Sequence, residues 1–182
     1  EIKTFVNKVQ NAIIKPLNRS FGSGVYFLQP GDPNINSIIS SLTEDGKTAV
    51  MVQKYLDKAI HGDKRVLIFN DFVFDECVRK LPGKDDFKFN THSDKFFERA
   101  ELTPKEKEMA LDVASKLSKT GLYMVGLDVI DEKIIEINVT SPCYFIREIN
   151  HLDQTNFQNT LMSQIINFIN AKTAKLYAKT NS

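Results

Sequence analysis

Hairpins outnumber strand–helix–strand units along this sequence, and that pattern restricts the fold more than any other feature. Short apolar runs face each other across small polar turns, as at 12–16 with 25–28 and at 123–130 with 134–139. Strands mixed with helices in this way predict an α+β fold rather than a doubly wound parallel sheet. Neither a Rossmann GxGxxG nor a Walker A lysine loop is present in the sequence.

Helix boundaries are marked by local signals. Asp32 before Pro33 predicts an N-cap for an amphipathic helix that presents Ile35, Ile38, Ile39 and Leu42 on one face. Thr103-Pro104-Lys105-Glu106 is a capping box that predicts a second helix. A last helix is expected from Thr155, followed by a polar tail over 172–182.

The segments between these helices are assigned by apolar runs and turn residues. Residues 65–69 and 72–79 are predicted strands, and 82–100 is predicted as a long loop.

Composition excludes several classes of protein. The chain has 182 residues, 42% of them hydrophobic, and a net charge of +1, which favours a folded core over disorder and gives no pull toward nucleic acid or membranes. No apolar run reaches the roughly 18 residues of a membrane span. Cys77 and Cys143 are too far apart for a CxxC motif, so a reducing cytoplasm is expected. Because the sequence opens at Glu1 directly in a helical pattern, we expect a piece of a longer protein.

The second hairpin carries the strongest chemical signal. A three-residue turn at 131–133 would place Asp128 opposite Glu136, with Asn138 on the same face. Ile135, Ile137 and Val139 would then point into the core. Two carboxylates and an amide oxygen suit Mg²⁺, although an ordinary solvated hairpin face has the same spacing.

Two further features suggest anion binding. Lys15 ends an apolar strand before the small-residue turn Gly22-Ser23-Gly24, where a lysine and backbone N–H groups can hold phosphate. Arg65 and Arg147 could likewise bind an anion. Taken alone, each of these features is more typical of an ordinary surface lysine, turn or ion pair.

Seven segments, in this order, identify a relationship. They are 14–17 (IKPL), 31–34 (GDPN), 53–56 (QKYL), 62–67 (GDKRVL), 126–130 (GLDVI), 136–142 (EINVTSP) and 147–149 (REI). From about Ala12 to Phe168 the chain resembles bacterial glutathione synthetase in its ATP-grasp portion.

The resemblance implies an ATP-grasp fold in which two α+β subdomains enclose the nucleotide. Residues 1–56 would be the remainder of the first subdomain and 57–171 the second, with the family's N-terminal domain preceding Glu1. The implied activity is ATP-dependent ligation of γ-glutamylcysteine to glycine through an acyl phosphate, with Mg²⁺ or Mn²⁺ beside the phosphates. On its own this fragment is expected to be inactive.

The resemblance also implies roles for individual residues. Asp128, Glu136 and Asn138 would ligate the metal, and Arg65 and Lys80 would act at the reacting phosphate. The remaining matched positions would bind ATP or line the site: Lys15, Gly22, Ser23, Gly24, Gln53, Lys54, Tyr55, Leu56, Asp63, Lys88, Asn90, Ser141 and Pro142. Ser141 and Pro142 match the segment on the acceptor side.

Departures from the family pattern leave alternatives open. Arg19 and Phe21 replace glycines in the phosphate loop 18–24, and Lys80 replaces an arginine. The lid, 83–98, has no glycine between Lys84 and Phe97. The chain could therefore be a ligase with another amine acceptor, or a nucleotide-binding module without catalysis. Small-molecule substrates and a homo-oligomer are expected, with neither nucleic acid nor membrane as partner.

Overall fold

A computed structural model describes residues 1–19, 22–83, 87, 97–143 and 145–180. The chain forms two compact units. The first unit comprises Glu1–Gly62 and the described part of Leu81–Phe96, and the second comprises Asp63–Lys80 and Phe97–Ser182. Helices and antiparallel sheets occur in both, which confirms the expected α+β class. The subdomain boundary expected after residue 56 stays a prediction.

The first unit is a three-stranded antiparallel sheet in the order β2-β1-β3. Its elements are α1 (Ile2–Val9), β1 (Ala12–Pro16), β2 (Tyr26–Leu28), α2 (Ile35–Thr43) and β3 (Val50–Lys54). Buried Ala12 and Ile14 pack with apolar residues of both helices. Because side chains alternate along a strand, Ile13 and Lys15 lie on the other face.

The start of α2 differs from the prediction. The helix begins at Ile35, and its N-cap residue is Asn34 rather than Asp32. The Asp32 carboxylate instead accepts a hydrogen bond from the Asn34 backbone N–H at 2.8 Å. In this local Asx turn the carboxylate forms its hydrogen bond before the helix starts. An aspartate in such a turn has the same sequence pattern as an N-cap, so the predicted cap lies two residues before the observed one.

The second unit is built on a six-stranded antiparallel sheet in the order β7-β6-β4-β8-β9, with β5 paired to β4. Its strands are β4 (Asp63–Phe69), β5 (Phe72–Val73), β6 (Cys77–Lys80), β7 (Phe97–Ala100), β8 (Met124–Ile130) and β9 (Lys133–Asn138).

Two strand predictions in this unit were wrong. Residues 72–79 do not form one strand, because the chain turns inward at Phe74, which is fully buried. Residues 97–100, predicted as part of a loop, pair with β6. Pairing with a distant strand overrides the polar local sequence there.

Helices cover both faces of this sheet. They are α3 (Pro104–Leu117), α4 (Ile146–Asp153) and α5 (Phe157–Thr180). Along β4, Val66 and Ile68 belong to the core that contains the α3 residues Ala110 and Ala114. Leu67 and Phe69 point the opposite way, into the core that contains residues of α4 and α5. Asp63 and Arg65 continue this second face toward the start of the strand.

The C-terminal helices extend beyond what the sequence pattern indicated. No helix was predicted at α4, and α5 continues to Thr180 through most of the expected polar tail. Among the helices of the described ranges, none combines the length and apolar character that crossing a membrane requires.

We expect Glu106→Ala to lower the free energy of unfolding by about 3 kcal/mol, since Glu106 anchors α3 through a buried charge. Its carboxylate is 3% exposed and accepts hydrogen bonds from the Thr103 backbone N–H at 2.9 Å and from Lys64 Nζ at 2.6 Å. Urea unfolding measures the loss. Asp112→Ala is the control, because it removes only the exposed pair with Lys116 and should cost less than about 0.5 kcal/mol. Equal losses in the two variants would contradict this role of Glu106.

Candidate functional site

The hairpin of β8 and β9 places Asp128 directly opposite Glu136, as predicted, but it does so by another route. The turn contains two residues, Asp131 and Glu132, both with positive φ, as in a type I′ turn. An irregularity in the pairing between Asp128 and Val129 then shifts the register by one residue. The shorter turn and the bulge offset each other, so the predicted facing pair is retained.

The apolar side of β9 does not match the prediction. Ile137 and Val139, expected in the core, are both exposed. The strand lies at the edge of the sheet, so it has a neighbour on one side only. Ile135 is partly buried, and Ile134 packs against the core on the α3 side.

Asp128 is the centre of a buried charge cluster. Arg65, its register partner on β4, donates from Nε to Oδ1 at 2.5 Å and from Nη2 to Oδ2 at 2.9 Å. Lys80 Nζ lies 3.3 Å from Oδ1, and Asn138 Nδ2 donates to Oδ2 at 3.3 Å. Burial by itself would raise the pKa of Asp128, but Lys80 and Arg65 hold it below its usual value. Asp128 is therefore ionised at neutral pH.

Lys80 links this cluster to a second carboxylate. Its Nζ lies 2.7 Å from Asp63 Oδ2, across the β4–β6 pair in which the two residues face each other. Asp63 Oδ1 is buried and has no hydrogen-bond partner among the described residues. Burial raises the pKa of Asp63 to about 7, Lys80 opposes that rise, and Asp128 adds to it. Lys80 thus shares its charge between two carboxylates.

Residues 141–143 lie beside the cluster because Gly126 has no side chain. A Cβ on Gly126 would lie 3.0 Å from the Pro142 carbonyl oxygen and 3.4 Å from Arg65 Cδ. The backbone that follows Ser141 therefore packs directly on β8 next to Arg65. Cys143 Sγ in the same segment lies 3.1 Å from Met124 Sδ.

The donor set of this hairpin fits Mg²⁺. Asp128 and Glu136 supply carboxylate oxygens, and rotation of the Asn138 amide would turn its oxygen toward them. Nowhere in the described ranges, this hairpin included, do three His, Cys, Asp or Glu side chains gather closely enough to hold a metal, so the proposed set depends on the Asn138 amide as its third donor. The assignment of these three ligands stays a prediction.

Two predicted nucleotide residues of the first unit, Lys15 and Gln53, lie on the same face of its sheet. Lys15 and Gln53 point away from the helix-covered face, since Lys15 pairs with Met51 and Gln53 with Ile13. Lys54 ends β3, and the Tyr55 backbone N–H donates to the Asn11 carbonyl at 2.9 Å before the chain continues through Leu56. The Tyr55 ring contacts Phe27 edge-on, with centroids 5.0 Å apart.

The predicted phosphate loop is described only in part. Gly22, Ser23 and Gly24 form a turn, and the Val25 N–H donates to the Gly22 carbonyl at 3.3 Å. Phe21 lies outside the described residues, as do the lid residues Lys88 and Asn90.

No role of its own was predicted for Gly126 from the sequence, although it lies in the quoted segment 126–130. Gly126 brings the 141–143 segment onto the sheet, and a glycine in the middle of an apolar strand is the signal that marks such a close approach.

Comparison with known proteins places this site in a family. Residues 1–154 match the family described as "Prokaryotic glutathione synthetase, ATP-grasp domain". The chain belongs to that family. Curated members include glutathione synthetase of Nostoc sp., 39% identical over 168 residues, which cover 92% of this chain and 50% of the relative. Glutathione synthetase of Thermosynechococcus vestitus is 38% identical over 89% of this chain and 50% of its own length. The chain therefore spans about half the length of these relatives.

Solved structures of the same fold agree. D-cycloserine synthetase DcsG superposes with a TM-score of 0.62 at 15% identity, over 76% of this chain and 51% of its own. The D-alanyl-alanine synthetase A of Vibrio cholerae gives 0.57 at 17% identity, over 91% of this chain and 54% of its own. At such identities the likeness shows the fold alone, which is the ATP-grasp fold that the sequence predicted.

Proposed function

We propose that this chain is the nucleotide-binding part of an ATP-dependent glutathione synthetase. The observation that carries the proposal is the buried cluster of Arg65, Lys80 and Asp128 beside the Glu136–Asn138 edge, in a chain of this family. Phosphoryl transfer from ATP needs cations around the phosphates and oxygen ligands for a metal, and this edge supplies both.

Each residue has a proposed part in the reaction. Asp128, Glu136 and Asn138 would hold Mg²⁺, which offsets phosphate charge; Mn²⁺ takes the same oxygen donors. Arg65 and Lys80 would bind the transferred phosphoryl group. Their charges favour attack of a γ-glutamylcysteine carboxylate oxygen on the γ-phosphorus, with ADP leaving. The amine of glycine would then attack the acyl carbon and release phosphate, with Ser141 and Pro142 lining its side.

Other predicted residues would bind the rest of ATP. The backbone of Gln53–Leu56 would read adenine, and Lys15 would reach the phosphates together with the Gly22–Gly24 turn. Asp63 would lie at the nucleotide, as the family resemblance implies, and Lys88 and Asn90 would act from the lid. The free cysteines Cys77 and Cys143 support our proposal of a reducing cytoplasm. The proposed partners are the small-molecule substrates and further copies of the chain.

The test is ADP release by the full-length protein with ATP, Mg²⁺ and γ-glutamylcysteine. We expect release that depends on glycine, because an acyl phosphate without an acceptor turns over only by slow hydrolysis. Assays without γ-glutamylcysteine give the background. Glycine-independent release at the full rate would contradict the assignment of glycine as the acceptor.

A second candidate is a ligase for a different amine. The lid favours it, since 83–98 has no glycine between Lys84 and Phe97 and a lid that closes differently can admit another acceptor. Lys80 in place of the family arginine instead favours a module without catalysis, because it keeps the charge but loses the bidentate fork at the phosphate. A panel of amino acids and short peptides in the same assay separates these candidates. Activity with another amine and none with glycine would establish this alternative. ATP binding without any turnover would indicate a nucleotide-binding module without catalysis.

A further inference from the structure

Both oxygens of Asp128 are already used by donors of the chain. The Arg65 guanidinium donates to both of them, from Nε to Oδ1 at 2.5 Å and from Nη2 to Oδ2 at 2.9 Å. Lys80 Nζ is a second donor to Oδ1, and Asn138 Nδ2 is a second donor to Oδ2. A metal ion needs the same lone pairs that these hydrogens now occupy. Rotation of the Asn138 amide would release one position on Oδ2, but the Arg65 guanidinium would still cover both oxygens and hold a positive charge against any cation bound there.

The buried negative charges need no metal to offset them. At most two negative charges, on Asp63 and Asp128, face the two positive charges of Arg65 and Lys80, and none of the four residues is more than 8% exposed. Glu136, which is exposed, adds a further carboxylate beside this buried group, and it also attracts Arg65. A dication approaching this group, which carries no net negative charge, meets two fixed cations at short range, so binding of the metal alone is disfavoured.

Arg65 can leave Asp128 only if another anion receives it. Burial alone would lower the pKa of Arg65, but Asp128 raises it above the usual value, so the side chain stays charged when it moves. Removing one partner from a buried ion pair leaves an uncompensated charge, which is costly. A phosphate offers the guanidinium the same two-pronged hydrogen bonding as a carboxylate.

We propose that Arg65 is an internal counter-ion of Asp128 that passes to the triphosphate when nucleotide binds, so that the site accepts a divalent metal together with nucleotide and discriminates against the free metal. This inference rests on the proposed function, because it assumes that the ligand is a nucleoside triphosphate. It adds a specificity role for Arg65 that precedes phosphoryl transfer.

The experiment is binding of Mn²⁺, as a paramagnetic probe, to the intact protein without nucleotide, followed by electron paramagnetic resonance of the free ion. We expect Arg65→Gln to bind Mn²⁺ about tenfold more tightly than the wild type, since a charge-assisted hydrogen-bonded partner of Asp128 has been removed. Adding Asp128→Asn to that variant should abolish the gain. Arg79→Gln is the matched control: Arg79 lies on β6 next to Lys80, points to the other face and pairs with Glu98, so Mn²⁺ affinity should not change.

Arg65→Lys is the second variant, because it keeps the buried charge and is therefore expected to fold even if Arg65→Gln does not. It should show a smaller gain, since a lysine cannot cover both oxygens. If neither variant binds Mn²⁺ more tightly than the wild type, the counter-ion role is overturned. Wild-type protein titrated with Mn²⁺ and a non-hydrolysable ATP analogue tests the proposed function separately. Failure there contradicts nucleotide binding, whereas the comparison of variants without nucleotide still decides the role of Arg65.

Discussion

Asp128→Asn is expected to destabilise the protein by about 3 kcal/mol, because it leaves Arg65 and Lys80 buried with a single carboxylate, Asp63, between them. The asparagine has the same shape, so the loss reports charge rather than a cavity. Urea unfolding at neutral pH measures it. The control is Asp112→Asn on the surface of α3, which makes the same chemical change at an exposed pair and should cost less than about 0.5 kcal/mol.

The same variant should lose function to a greater degree than its stability predicts. Asp128 is the predicted metal ligand that Arg65, Lys80 and Asn138 all contact, so we expect Mg²⁺-dependent affinity for an ATP analogue to fall at least about a hundredfold at temperatures where the variant is fully folded. Isothermal titration with and without Mg²⁺ separates metal-dependent from metal-independent binding. If the variant binds the Mg²⁺–nucleotide complex as the wild type does, Asp128 is a structural ion-pair partner and not a ligand.

A double-mutant cycle adds a check on the cluster itself. Arg65→Gln should cost clearly less stability in the Asp128→Asn background than in the wild type, because the charge that Arg65 compensates has already been removed. Additive effects would mean that Arg65 and Asp128 contribute independently, in spite of their contact.

Local signals in the sequence were enough where the structure is local. The Thr103 capping box predicted the start of α3 correctly, because the Thr103 hydroxyl and the Glu106 carboxylate bond to backbone groups three residues away. The position of Asp128 opposite Glu136 was also predicted correctly, although the assumed turn was one residue too long. The bulge that compensates for the shorter turn leaves no mark in the alternation of apolar residues.

Local sequence signals could not predict the features that depend on contacts between distant parts of the chain. Arg65 and Asp128 are 63 positions apart, and nothing in either segment states that β4 and β8 are neighbours. The exposure of Ile137 follows from the edge position of β9, which is a property of the strand order. The resemblance to a family supplied the candidate residues, and the structure shows which of them share a buried network within one unit.

Gly126→Ala is expected to lower catalytic efficiency of the full-length protein about tenfold, because a misplacement of about 1 Å near the proposed reacting groups can cost about a hundredfold and this one is a few tenths of an ångström. The new Cβ would lie 3.0 Å from the Pro142 carbonyl oxygen and 3.3 Å from Pro142 Cα. Both are backbone atoms, so the clash is relieved only by moving the 141–143 segment away from the sheet. Arg65 Cδ, at 3.4 Å, is in ordinary contact and need not move.

The kinetic pattern should identify that displacement. Since 141–142 is the segment predicted to line the acceptor side, we expect KM for glycine to rise and kcat to fall, while affinity for the ATP analogue changes little. The stability cost should be about 1–3 kcal/mol, as for other overpacked positions. Gly46→Ala is the control: its φ of +88° makes alanine strained, yet no atom lies within 4 Å of the added Cβ. That variant should lose stability of similar size and keep wild-type kinetics, because its cost is backbone strain far along the chain from Pro142. Equal kinetic losses in the two variants would show that reduced stability, and not the contact with Pro142, limits the reaction.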